Sequence, residues 1–150
     1  MRCYARSKTK DEENGGFFMT TMVFVNFPVS DLKHSTAFYE KLGFTQNKEF
    51  STDEAVSMVW DDHFWIMLLN HDFYSRFIKD KTIANTQTTS SSLIAFSMES
   101  IDAVKKFAET AKANGGDFYK VNMGIPEDQM FGLEVQDPDG NTLEPNWMAI

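Results

Sequence analysis

Residues 24–44, FVNFPVSDLKHSTAFYEKLGF, decide the fold. The first third alternates. Val25, Phe27 and Val29 point one way and Phe24, Asn26 and Pro28 the other, which is the period of a strand. Ser30 and Asp31 then offer side-chain oxygens to the free N–H groups that open a helix. Leu32, Ser35, Phe38, Tyr39 and Leu42 recur at helical spacing, and Gly43 ends the run. One strand feeds one helix through a capped turn.

The unit occurs twice. Sliding the chain by 69 residues lays Leu93-Ile94-Ala95-Phe96-Ser97-Met98-Glu99-Ser100-Ile101 over residues 24–32, and Phe107 over Phe38. Ile94, Phe96 and Met98 repeat the apolar face of Val25, Phe27 and Val29. Two copies in a chain of 150 residues point to two similar modules sharing one core.

The first module continues through 44–50, 55–60 and 64–69, three strands, with Asp61-Asp62-His63 as a tight turn. A linker over 71–92 follows. Its first part, 72–81, carries Phe73, Tyr74, Phe77 and Ile78 at helical spacing, and its Thr/Ser tract from 82 to 92 reads as a flexible loop. The second module repeats the order: a strand over 93–98, a helix over 100–114, and strands over 117–121, 132–136 and 142–148. Asp137-Pro138-Asp139-Gly140 joins the last two as a turn. The expected division is module 1 over about 22–70 and module 2 over about 93–150. Residues 1–21 match neither; they are polar, without a sustained period, and are expected to be a disordered N-terminal extension.

Composition excludes several partners. The net charge is -8, which repels phosphate backbones and anionic membrane surfaces. No apolar run approaches the length of a membrane-spanning helix. A single cysteine, Cys3, permits no internal disulfide, as expected of a cytoplasmic protein.

The paired β-α-β-β-β modules, the opening V-S-D-L, F-Y and L-G-F, and the D-P-D-G-N-x-x-E ending resemble the vicinal oxygen chelate superfamily. That superfamily includes glyoxalase I, extradiol dioxygenases, fosfomycin-resistance enzymes and bleomycin-resistance proteins. More narrowly, N-F-P-V-S-D-L and the closing W-M are similar to bacterial proteins labelled predicted lactoylglutathione lyases. The resemblance implies an α+β fold in which the two βαβββ modules curl a mixed sheet into a cup. It also implies one metal ligand on each of four strands. Those positions fall here on Phe24, Met67, Leu93 and Glu144. Phenylalanine and leucine have no lone pair to give, and a thioether is a soft ligand beside a carboxylate. A catalytic zinc needs about three protein ligands, so no metal site is assigned and no cofactor is expected.

By parity Phe24, Asn26, Trp65, Met67, Leu69, Leu93, Ala95, Ser97, Thr142, Glu144 and Asn146 face the cup. An apolar concavity with a few polar points is the make-up of a small-molecule pocket. Glu144 is the catalytic candidate. It could abstract a proton beside a carbonyl or pair with a cation. Asn26 and Asn146 could orient a ligand. Trp60, Trp65, Phe131 and Trp147 offer flat faces for stacking, though each could equally be core. The expected protein is a homodimer that binds a small, partly aromatic or cationic molecule without metal. The alternative is a glyoxalase-like lyase or isomerase using Glu144 with Zn, Ni, Mn or Fe, its ligand set completed across the dimer interface.

Overall fold

The computed structural model describes residues 8–10 and 17–150. The expectation of a disordered extension falls largely on residues 1–7 and 11–16, outside the described residues. Strands β1 (Lys8–Lys10) and β2 (Phe17–Met19) pair antiparallel, Thr9 opposite Phe18, a short ladder that the polar composition gave no reason to expect.

Module 1 comprises β3 (Val23–Val29), α1 (Leu32–Lys41), β4 (Thr45–Asn47), β5 (Ala55–Val59) and β6 (Phe64–Asn70). Asp31 caps α1, its carboxylate accepting the His34 N–H at 2.9 Å. The chain leaves the helix through Gly43 at φ +104, a conformation that costs glycine little. β4 is shorter than the strand expected over 44–50. Asn47 Oδ1 accepts the N–H groups of Glu49 and Phe50, turning the chain into one 3-10 turn, Lys48–Phe50. Helix α2 (His71–Ser75) stops well before Lys81. Its side chains are not buried, so little packing rewards a longer helix.

Module 2 comprises β7 (Leu93–Ser97), α3 (Ile101–Ala113), β8 (Asp117–Tyr119), β9 (Met130–Gly132), β10 (Glu134–Gln136) and β11 (Thr142–Met148). Ser100 caps α3. The single strand expected over 132–136 is present as two pieces, for a visible reason. β9 and β10 face β11 in one continuous register, Phe131 opposite Trp147 and Val135 opposite Leu143. Between them Leu133 donates its N–H to the Pro145 carbonyl at 3.3 Å. Pro145 has no N–H to return, so the ladder breaks there.

The sheet orders are β3-β6-β5-β4 and β7-β11-β10-β8, with β9 also on β11. β3 runs parallel to β6, as β7 does to β11. The fold is therefore α+β, two βαβββ modules whose sheets do not close into a barrel. One apolar cluster serves both. Phe27, Val29, Met58, Ile66 and Leu68 from the first sheet meet Val135 and Leu143 from the second. Phe38, Tyr39, Val104 and Phe107 of the two helices complete it. Each such side chain contributes about 1.5–3 kcal/mol by leaving water.

The turn between β10 and β11 clasps module 1. Asn141 Nδ2 donates to the Pro28 carbonyl at 3.1 Å, and Asp139 Oδ1 accepts the Ser30 N–H at 3.0 Å. Asp137 is buried among four donors: the Tyr39 hydroxyl, the Asn141 amide side chain, and the N–H groups of Asp139 and Asn141. Burial nevertheless pushes its carboxyl up to about 6. Tyr39 is raised well above the usual phenol range, first by burial and then by the Asp137 charge. The linker is tied to the same turn, Thr86 Oγ1 donating to the Asp139 carbonyl and Gln87 Nε2 to that of Pro138.

Candidate active site

Register brings the cup-facing residues into rows. On the first sheet Phe24 lies beside Trp65, and Asn26 beside Met67, with Ser57 the next in line. Trp65 meets the edges of two rings, Phe24 at 5.5 Å and Phe50 at 6.4 Å. Trp65 and Leu69 are buried, Met67 is half-buried, and Phe24 and Asn26 are exposed. Phe24, 48% exposed, thus stands as an apolar side chain on an open face.

On the second sheet Leu93 lies beside Thr142, Ala95 beside Glu144, and Ser97 beside Asn146. Leu93, Ala95 and Ser97 are exposed, Thr142 and Asn146 buried, and Glu144 lies between. Asn146 turns its amide back on its own strand, Nδ2 donating to the Glu144 carbonyl at 3.3 Å. Trp147 stands apart from this set. It has the parity of Leu143, points away from Glu144, and packs against the apolar cluster. Trp60 packs there too, against Phe44, Phe96 and Phe107. Phe131 is buried with the ammonium groups of Lys105 and Lys120 over its ring, at 5.3 and 4.9 Å.

The structure adds a residue that the sequence reading missed. Glu134 on β10 is the cross-strand neighbour of Glu144 and shares its face. Burial raises its carboxyl above the ordinary value, and the Glu144 charge adds to the shift. Its Oε2 is buried without a hydrogen-bond partner among the described residues. Tyr119 of β8 flanks it on the far side. The signal was available: the tight turn at 137–140 fixes which residue of one strand opposes which of the other.

A model of the Glyoxalase/Bleomycin resistance protein/Dioxygenase superfamily matches residues 21–144. The chain belongs to that superfamily. Solved structures with the same fold include three of the following kind. One is a glyoxalase/bleomycin resistance protein/dioxygenase family enzyme from Burkholderia phytofirmans PsJN, 18% identical over 87% of this chain and 100% of that one, TM-score 0.67. Another is a glyoxalase-related enzyme from Fulvimarina pelagi, 20% identical over 86% and 88%, TM-score 0.64. The third is the genomically encoded fosfomycin resistance protein FosX from Listeria monocytogenes, 16% identical over 89% and 94%, TM-score 0.61. No curated protein matches the chain. Among the described residues no helix is long and apolar enough to cross a membrane.

The metal seats implied by the superfamily resemblance do not fit a divalent ion in this chain. Phe24, Met67 and Leu93 occupy three of them, and Glu144 is the one hard donor. Among the described residues no three His, Cys, Asp or Glu side chains converge on a point. His34, His63 and His71 lie exposed on α1, on the turn before β6 and at the start of α2.

Proposed function

We propose that this member of the superfamily binds a small, partly aromatic or cationic molecule in its cup without a metal, as a cytoplasmic homodimer. One observation carries the reading: the apolar side chains of Phe24, Met67 and Leu93 stand at three of the four ligand seats, beside Trp65, Asn26 and Thr142 in register, and leave Glu144 beside Ala95. The aromatic wall of Phe24, Trp65 and Phe50 suits a flat or apolar group. Glu144 and Glu134 suit a cation.

The test is direct. Purified protein is analysed for bound Zn, Ni, Mn and Fe, and turnover of the methylglyoxal–glutathione adduct is assayed with each ion added. The expected result is less than stoichiometric metal, no turnover, and a ligand-induced rise in Tm from a panel of aromatic and amine compounds. Stoichiometric metal, with turnover lost in Glu144→Ala, overturns the proposal.

A second reading, a lyase or isomerase, is favoured by the Glu134–Glu144 pair. Two adjacent carboxylates in unequal environments divide into a proton holder and a base. In that reading Glu144 takes a proton from a carbon beside a carbonyl, and Glu134, its carboxyl raised by burial, stands next to it.

A further inference from the structure

Among the described residues β3 pairs with β6 alone and β7 with β11 alone, so the two sheets face each other across unpaired edges. A cavity of about 370 Å³ lies in this seam. Val23 and Val25 form one wall, and Ile94 and Phe96 the other. Trp60 and Phe64 form the floor. The rings of the floor pack edge to face or tilted against their neighbours. Phe96 lies 5.3 Å from Phe64 and 5.5 Å from Trp60, and Phe44 and Phe107 support Trp60 at 5.0 and 6.0 Å. Val25 has the opposite parity to Phe24, so this wall is not the cup's wall, although Ala95 and Ser97 border both spaces.

Among the described residues the rim carries one fixed anion. Asp61 Oδ1 accepts the N–H groups of His63 and Phe64, each at 2.8 Å, which holds the carboxylate at the mouth. His63 and Thr21 complete the rim, and among the described residues no lysine or arginine lines the cavity. The volume falls in the range of small-molecule sites, and apolar walls with few polar groups are their usual lining. Aromatic side chains receive a flat ring at their edges and faces, and an acidic mouth selects a positive substituent.

We propose that the seam is a second binding site, separate from the cup, that takes a flat aromatic amine with its ring between β3 and β7 and its ammonium group at Asp61. This assignment does not rest on the reading of the cup.

The experiment is a nitrogen-15 NMR titration of the full chain with 1-naphthylmethylamine, and with the neutral 1-naphthylmethanol, at pH 8, where an unperturbed histidine is neutral. The amides of Val23, Val25, Ile94 and Phe96 and the Trp60 indole N–H are expected to shift. Val25→Phe, which fills the cavity, is expected to abolish these shifts while the rest of the spectrum stays native. Ile94→Phe fills it from the other strand if that variant fails to fold. Asp61→Asn keeps an oxygen for the two N–H bonds and is expected to weaken the amine two- to fivefold, roughly the worth of an exposed ion pair, leaving the alcohol unchanged. Shifts confined to Asn26, Glu144 and their neighbours, the absence of shifts at millimolar probe, or undiminished binding to a folded Val25→Phe protein would each overturn the assignment. An unchanged amine affinity in Asp61→Asn would also overturn it.

Discussion

At the scale of single residues, the cup is defined by what three side chains cannot do and two can. Phe24, Met67 and Leu93 supply surface rather than hard donors. Glu134 and Glu144 supply two carboxylates close enough to feel each other, the first raised by burial and by the second. Removing the neighbouring charge removes one cause of that shift. In Glu144→Gln the Glu134 carboxyl is therefore expected to titrate at lower pH than in the parent, read from carbon-13 carboxyl shifts. An unchanged titration would mean that the two do not interact. Glu144 was legible because D-P-D-G-N-x-x-E places it. Glu134 carries no motif of its own and is found only by laying β10 against β11 through the turn at 137–140. Trp147 differs from the cup residues in its parity. Its flat face offered stacking or core packing, and its place on β11, in step with Leu143, sets it against the apolar cluster.

At the scale of elements, the strand–helix units follow from local rules, and the departures have local causes. Asp31, Ser100, Gly43 and the alternating strands all act as their residue types dictate. β4 shortens because Asn47 competes for two backbone donors. β9 and β10 separate because Pro145 lacks one. α2 ends early because helical spacing over 72–81 was necessary for a helix but not sufficient without a surface to pack on. Trp60, by contrast, is a loop residue that couples elements. It touches Phe44 of its own module and Phe96 and Phe107 of the other. Trp60→Ala should cost about 3 kcal/mol, toward the lower end for aromatic truncations since the ring is only partly buried. The urea midpoint should fall with an unchanged m-value. A loss under 1 kcal/mol would show that the modules hold together without it.

At the scale of the whole molecule, the internal repeat was visible in the sequence as a shift of 69 residues, and the core built from both halves is its consequence. What no local rule announces is the clasp at 137–141. Asp137 there makes stability depend on pH in the direction opposite to a salt-bridged carboxylate. Folded, it holds its proton to about pH 6; unfolded, it releases it near 3.8. Between those values the folded state binds more protons, so rising pH lowers its stability, by about 3 kcal/mol in total from this group. The loss begins above the unfolded value and is complete above the folded one. Asp137→Asn should flatten the slope of unfolding free energy between pH 4 and 6 relative to the parent; equal slopes would contradict the assignment. The same clasp explains why the join along the backbone matters less than it looks. Thr86 and Gln87 are moored on the far side of the stretch around residue 80. A protease cut in that stretch should therefore yield a two-piece molecule that still travels as one through gel filtration, its fragments parting only when denaturant is added.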